Sequence, residues 1–408
     1  MKTILLVTNS FPFGLGEASF IRPEIRALSK KFHIYIVSRN VTEAQTTQLP
    51  ENVTVVRYNP RAKYHVGILL WKALCSKDFR REMLSLLRSG TLRGYKIQKA
   101  LRYCMRSMHF ARFLEEVRAT LPESVLLYTY WNDFSVYSLS MIKRPKDKLV
   151  SRLHRADIYL TASNRYYFPL KVVSNVKTDL LAFISKQGMQ YFQETFCDTI
   201  PAQVFYLGVK PQKNQAPFSE KDSLNILSFS YLSPVKRVSR IVECLGQVND
   251  ISVHWVHIGD GTEREKVTAE AQKHLAGKEN ITYTFKGAME NEDALRYISE
   301  NEFDFLLNVS ASEGIPVTMM ECMSFGIPVV ATDVGGVSEL VEDGQNGYLL
   351  SEDFSFEAFH QTLKAYQTLS YAQKCILRKN ALQTWQNKFN EEANMCRFSE
   401  ALQNGLAS

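Results

Sequence analysis

Short apolar, β-branched runs alternate with stretches of helical periodicity along nearly the whole chain, and that alternation predicts an α/β architecture on parallel sheets. In the first half, strands are expected near Thr3–Thr8, His33–Ser38, Val53–Arg57, Val125–Tyr130, Lys148–His154, Asp179–Ser185 and Val204–Tyr206. In the second half they are expected near Asn225–Tyr231, Val253–Ile258, Ile281–Phe285, Phe303–Asn308, Ile327–Ala331 and Gly347–Leu350. Between the sets, Gly208 to Ser219 is polar and aperiodic and carries two prolines, which marks it as the linker candidate. The tail from about Phe354 reads as helical, with Trp385 and Phe389 four apart.

The length of 408 residues is enough for two to three domains with ample cores. With 45% hydrophobic and 22% charged residues the composition is globular rather than disordered. No apolar run reaches the eighteen or so residues of a membrane span. The opening apolar run is broken at Asn9 and Ser10, so it reads as a first buried strand rather than a signal peptide. Seven scattered cysteines without metal-ligand spacing suit a reducing cytoplasm. The expected location is the cytoplasm, with peripheral contact at the inner face of the membrane.

Charge sharpens that last expectation. The net charge is +7, yet residues 61–112 alone carry thirteen Lys/Arg against two acids, a local +11. Ile97, Leu101, Cys104 and Met108 recur there at helical spacing, with Lys99, Arg102 and Arg106 on another face. Such a segment suits anionic lipid headgroups. No nucleic-acid motif accompanies the charge.

The most informative stretch runs from Ser310 to Asp333, and it reads as strand end, loop, short helix, tight turn and second strand. Pro316 is expected as the first helical residue, where its missing N–H costs nothing. Phe325-Gly326 ends that helix. Helix N-termini attract phosphate through their orphan N–H groups and dipole. Glu313 precedes the helix and Glu321 lies on it, about 7 Å further along the axis at roughly 1.5 Å per residue. Carboxylates on either side of an anion site suit a diphosphate with a hydroxyl-rich group at each end, the shape of a nucleotide-sugar.

At these residues the chain resembles the retaining glycosyltransferases of family 4, which have the GT-B fold. Ser310, Glu313, Gly314, Glu321, Gly326, Pro328, Asp333, Gly335 and Gly336 all fit that family's signature. The resemblance implies two doubly wound Rossmann-like domains facing across a cleft, over residues 1–208 and 209–384, with a C-terminal helix at 385–408 crossing back to the first. It assigns Glu313 to the donor sugar and Glu321 to the ribose diol. Lys236, with Arg237, Ile315, Val317, Thr318 and the backbone near Gly314, would hold the diphosphate. Tyr231 stands where the family usually has Arg, so one cation is missing. Gly259, in His257-Ile-Gly-Asp-Gly261, would let backbone pass near the nucleotide, and Phe285-Lys-Gly287 would line the base.

In the first half, Gly14 and Gly16 would border the donor sugar and acceptor. Ser151-Arg-Leu-His-Arg-Ala-Asp157 is similar to the family's Arg-x-His-Gly-x-Asp, which would place His154 beside the reacting sugar and Asp157 as a brace. Tyr130 and Trp131, at the end of the preceding strand, join the acceptor side. The resemblance implies transfer to a glycan or lipid-linked hydroxyl with retained configuration, as in bacterial surface polysaccharide assembly. UDP donors are expected before GDP donors, with no metal and no cofactor, the nucleotide-sugar being a substrate. Two rival readings are a non-catalytic nucleotide-sugar binder and a nucleotide-dependent oxidoreductase. The second lacks an acid where Ser38-Arg39-Asn40 follows the Gly loop.

Overall fold

The computed structural model describes all residues except 14–16, 42–43, 59–64, 161–166 and 405–408. The chain forms two compact units, Met1–Tyr206 with Met395–Ser408, and Leu207–Asn394.

The first unit carries seven parallel strands: β1 (Lys2–Thr8), β2 (Phe32–Ser38), β3 (Val53–Arg57), β4 (Val125–Thr129), β5 (Lys148–Leu153), β6 (Leu180–Phe183) and β7 (Ala202–Val204). Their order is β3-β2-β1-β4-β5-β6-β7. Its helices are α1 (Ala18–Ser29), α2 (Val66–Cys75), α3 (Lys77–Arg88), α4 (Gly94–Ala119), α5 (Phe134–Ile142), α6 (Arg155–Ile158), α7 (Lys171–Asn175) and α8 (Lys186–Thr195). Every residue of β4 is buried, as expected of a parallel strand covered on both faces.

The second unit repeats the plan with six strands: β8 (Leu224–Phe229), β9 (Val253–Ile258), β10 (Ile281–Phe285), β11 (Phe305–Asn308), β12 (Val329–Thr332) and β13 (Gly347–Leu350), in the order β10-β9-β8-β11-β12-β13. Its helices are α9 (Val238–Gln247), α10 (Arg264–His274), α11 (Asn291–Glu300), α12 (Val317–Ser324), α13 (Val337–Leu340), α14 (Phe356–Gln367) and α15 (Tyr371–Thr384). The chain closes with α16 (Glu391–Asn404).

In each sheet the connections reverse direction at one place, between β1 and β4 in the first and between β8 and β11 in the second. Loops leaving the carboxyl ends of those neighbouring strands splay apart and leave room for a ligand. The candidate site residues of each unit gather at these two points.

Three sequence expectations need correction. Gly208–Ser219 is not a free tether: Val209 N–H donates to Phe389 O (3.0 Å), Glu391 N–H donates back to Val209 O (3.1 Å), and Arg378 donates to Ala216 O (3.0 Å). The return to the first unit begins at Met395 rather than at residue 385, since Trp385 and Phe389 are buried within the second unit. The α4 stripe read as suiting a lipid surface packs mostly inward: Leu101, Cys104 and Met108 join Ala73, Phe79 and Tyr137, and of the four only Ile97 is exposed.

Candidate functional site

At the β8/β11 switch point, the loop after β8 tightens through the single 3-10 turn Pro234–Lys236. It then places Arg237 in the left-handed region, at φ 50°. That conformation costs a non-glycine residue roughly 1–2 kcal/mol, and the guanidinium is what holds it. Arg237 donates to the carbonyls of Val309 (2.7 Å), Ser310 (3.2 Å) and Glu352 (3.0 Å). Ala311 N–H adds a bond to Val235 O (2.8 Å). The two loops are thereby fastened together, and Lys236 Nζ meets Glu313 Oε1 at 2.6 Å, with Asn308 Nδ2 at 3.4 Å from the same oxygen.

The loop carrying Glu313 is seated by the turn after β12. Gly336 N–H donates to Gly314 O (2.8 Å). Gly335 has φ 61°, and a Cβ there would run into the Glu313 carbonyl. Only glycine satisfies both the angle and the close approach. The chain then enters α12 with Pro316 as N-cap, at ψ 125°, so the helix starts at Val317, one position after the expected first helical residue. No side chain caps this helix, so its first-turn amides keep the orphan donors and positive end of a helix dipole. At the other end Ile327 N–H donates to Cys322 O and Gly326 N–H to Met323 O, a Schellman closure with Gly326 at φ 75°.

Glu321 lies on α12 with its carboxyl buried. Asn291 Nδ2 donates to Oε1 at 2.9 Å, while Oε2 has no partner. Burial pushes its pKa up to about 7, and the Asn291 bond offsets only part of that. Because the folded value lies above the unfolded one, the native state binds this proton more tightly, and stability falls as pH rises from about 4.5 toward 7. Glu321→Gln removes the titration, so its stability relative to wild type should improve across that window by up to about 3 kcal/mol. Calorimetric melts at pH 5 and pH 8 check this; parallel shifts of both proteins would refute it.

At the β1/β4 switch point Glu17 is the organising group. Its carboxylate accepts the backbone N–H groups of Asn9 (3.1 Å), Ser10 and Phe11 (2.8 Å), together with the Trp131 indole N–H. Trp131 lies against the His154 ring, with centroids 4.5 Å apart. His154 follows β5 and is buried, with Nε2 unpartnered. Burial first, and then the charge of Arg152, pull its pKa down to about 3, so the imidazole is neutral at physiological pH. Asp157 Oδ2 accepts the His154 N–H (3.1 Å) and so braces the turn. Its carboxyl is pushed up to about 6 by burial, against the nearby Lys171 charge.

The structure thus joins Lys236, Glu313, Gly314, Ile315, Val317, Thr318 and Glu321 around the start of α12. In the first unit it joins Trp131, His154 and Asp157. Tyr130 is corrected: it is fully buried beneath His154 and presents no surface. Arg237 is corrected too, its Nε and Nη2 being turned to the carbonyls of Val309, Ser310 and Glu352. Gly259 (φ 139°) packs on Ser230 O and donates to Gly287 O (2.9 Å), so its glycine is required by loop packing. Tyr231 is exposed. Gly14 and Gly16 lie outside the described residues. Glu17 and Asn291 were missed, because each acts on a partner, Trp131 or Glu321, that only folding brings near; Asn308 was missed although it stands five residues from Glu313. Among the described residues no three His, Cys, Asp or Glu side chains converge as a metal site.

Residues 209–380 match the family of glycosyl transferases group 1. The second unit belongs to that family. The chain is 24% identical over 279 residues to the amylovoran biosynthesis glycosyltransferase AmsK of Erwinia amylovora, covering 65% of this chain and 67% of that one. It is 25% identical over 213 residues to the N-acetyl-alpha-D-glucosaminyl L-malate synthase of Bacillus anthracis, covering 50% of this chain and 54% of the relative. The chain therefore spans between about half and two thirds of these curated relatives. Among solved structures, Anabaena HepE in complex with UDP superimposes with a TM-score of 0.67 at 16% identity, over 99% of this chain and 100% of that one. Such a likeness carries the GT-B fold. Within the group 1 domain the matched stretch contains Lys236, Glu313 and Glu321 together.

Proposed function

We propose that the chain is a family 4 glycosyltransferase that moves a sugar from a nucleotide-sugar to a hydroxyl of a glycan or lipid-linked acceptor, with retained configuration. The observation that carries this reading is electrostatic. Lys236 is bound to Glu313, whose loop leads into the uncapped, positive end of α12, and positive groups gathered this way call for an anion. In the structure Glu313 is that anion; in the proposed complex a diphosphate enters the same field.

In the transfer the C1–O bond to the leaving diphosphate breaks while the acceptor oxygen bonds to C1 on the same face, and the acceptor's proton passes to a phosphate oxygen. Lys236 and the amides of Val317 and Thr318 stabilise the departing charge, which is where electrostatic catalysis has most effect. Glu313 Oε2, which accepts no hydrogen bond among the described residues, is assigned to the sugar hydroxyls. Glu321, whose buried Oε2 has no partner, is assigned to the ribose diol. The first unit is assigned the acceptor, through His154 and Trp131. A fixed cation and helix amides supply the positive charge, so transfer should proceed unchanged in EDTA. UDP is preferred over GDP as the nucleotide because HepE, a relative in fold, is described with UDP, and the AmsK resemblance supports a polysaccharide acceptor.

A thermal-shift screen against UDP- and GDP-sugars tests the reading. At least one UDP compound should raise the melting point by several degrees at 100 Kd, where linkage gives about 2.7 kcal/mol. An unchanged melting point with every compound would overturn donor binding. Proton NMR of the product anomer tests retention, and an inverted product would sink the mechanism alone.

A further inference from the structure

Helix α2 breaks the rule for a surface helix. Only Leu69 and Ala73, four apart, are buried, so the remaining positions should be polar. Most are apolar instead: Val66, Ile68, Trp71 and Leu74 are exposed, Trp71 to 65%, with Lys72 the one charged position. Helix α3 buries Phe79 and Leu86 and exposes Leu84 and Leu87. On α3 the i, i+4 spacing puts Arg80 and Arg88 on either side of Leu84 along one face. An exposed apolar surface of this size on one segment marks a contact site rather than ordinary scatter.

The surrounding charge identifies the occupant. Among the described residues no carboxylate pairs with Lys72, Lys77, Arg80, Arg81 or Arg88, and Asp78 pairs with Lys177 instead (3.9 Å). The two acids in the stretch are turned to tyrosines: Tyr137 donates to Asp78 (3.0 Å) and Tyr167 to Glu82 (2.6 Å). An apolar face ringed by unpaired cations matches a surface with negative headgroups over hydrocarbon. A second copy of the chain would set like charge against like across a two-fold axis. Aliphatic side chains give nucleic-acid bases nothing to stack on. Trp71 is the residue type that settles at headgroup depth.

We propose that α2 and α3 dock this protein on an anionic lipid bilayer, with Trp71 and Leu74 entering the headgroup–acyl boundary and Arg80, Arg81 and Arg88 lying on the headgroups. No helix among the described residues is long and apolar enough to cross a membrane, so this contact is interfacial. It stands independently of the donor reading.

Flotation of the full chain with phosphatidylcholine vesicles, with and without phosphatidylglycerol, tests the proposal. Binding is expected only with the anionic lipid, falling as salt shortens the Debye length from about 10 Å to about 3 Å. Trp71→Ser with Leu74→Ser should lower partitioning about tenfold or more. Replacing Arg80, Arg81 and Arg88 by Gln should lower it roughly fivefold per charge. Both variants should keep the wild-type circular dichroism and melting point, because every altered side chain is exposed. Trp71 fluorescence should be quenched by brominated lipid, whereas Trp255 and Trp385 are buried. Equal binding to both vesicle types, no binding to either, or a Trp71-dependent dimer in sedimentation without vesicle binding would each overturn the proposal.

Discussion

Lys236→Ala lowers the rate of sugar transfer by roughly 10²–10³-fold, about 3–4 kcal/mol of transition-state stabilisation, the range seen when one fixed charge or donor is removed from a developing anion. The effect is larger here than in a homologue with a second cation, because Tyr231 offers none and the donors of Arg237 are turned to the carbonyls of Val309, Ser310 and Glu352. Glu313→Gln should cost a similar factor, and the double variant should lose much less than the product of the two, since Lys236 and Glu313 form one unit at 2.6 Å. Initial rates with the donor found by thermal shift give all three numbers. A Lys236→Ala enzyme within threefold of wild type would remove the electrostatic argument. Full additivity would show instead that the two residues act apart.

Arg152→Met should destabilise the first unit by about 3–5 kcal/mol, the cost of leaving a buried charge without its partner. Arg152 Nη1 donates to Glu24 Oε2 at 2.7 Å, with both side chains essentially inaccessible, and Tyr128 donates to the other carboxylate oxygen at 2.5 Å. Burial pushes the Glu24 carboxyl above its usual range, while Arg152 and Tyr128 hold it down. The same guanidinium donates to Phe205 O (3.1 Å) and lies 4.6 Å from the Phe398 ring centroid, which fastens the returning C-terminal helix to the first sheet. Pairing Arg152→Met with Glu24→Gln should recover most of the loss, because the orphaned carboxylate goes with it. Urea unfolding followed by hydrogen exchange in β5 and α16 reads the first unit without assuming a two-state chain. A single variant as stable as wild type would mean that water reaches Glu24.

How much of this was legible beforehand depended on the range of the interaction involved. All thirteen observed strands overlap the expected ones, since buried parallel strands announce themselves as local β-branched runs. Small errors arose where a boundary depends on a cap, as at Pro316, and a larger one where the chain's return begins ten residues beyond Trp385. The α4 stripe was read correctly as apolar, but its direction depended on Ala73, Phe79 and Tyr137, none of them neighbours in sequence. The outward apolar face of α2 escaped notice because a ten-residue run that is apolar but for Lys72 reads as a core helix.

The sequence by itself determined that there would be two α/β sheets, that Glu313 and Glu321 would frame one short helix, and that residues 61–112 would be strongly basic. Each of these is a property of neighbouring residues and of composition. Only the tertiary structure decided that Lys236 would meet Glu313 across seventy-odd positions, that the Arg237 guanidinium would be turned to backbone carbonyls, that Glu17 would hold Trp131, and that Asn291 would reach Glu321. The physical reason is that hydrogen bonds and ion pairs depend on distances of about 3 Å, and between distant residues those distances are set by how sheets and loops pack.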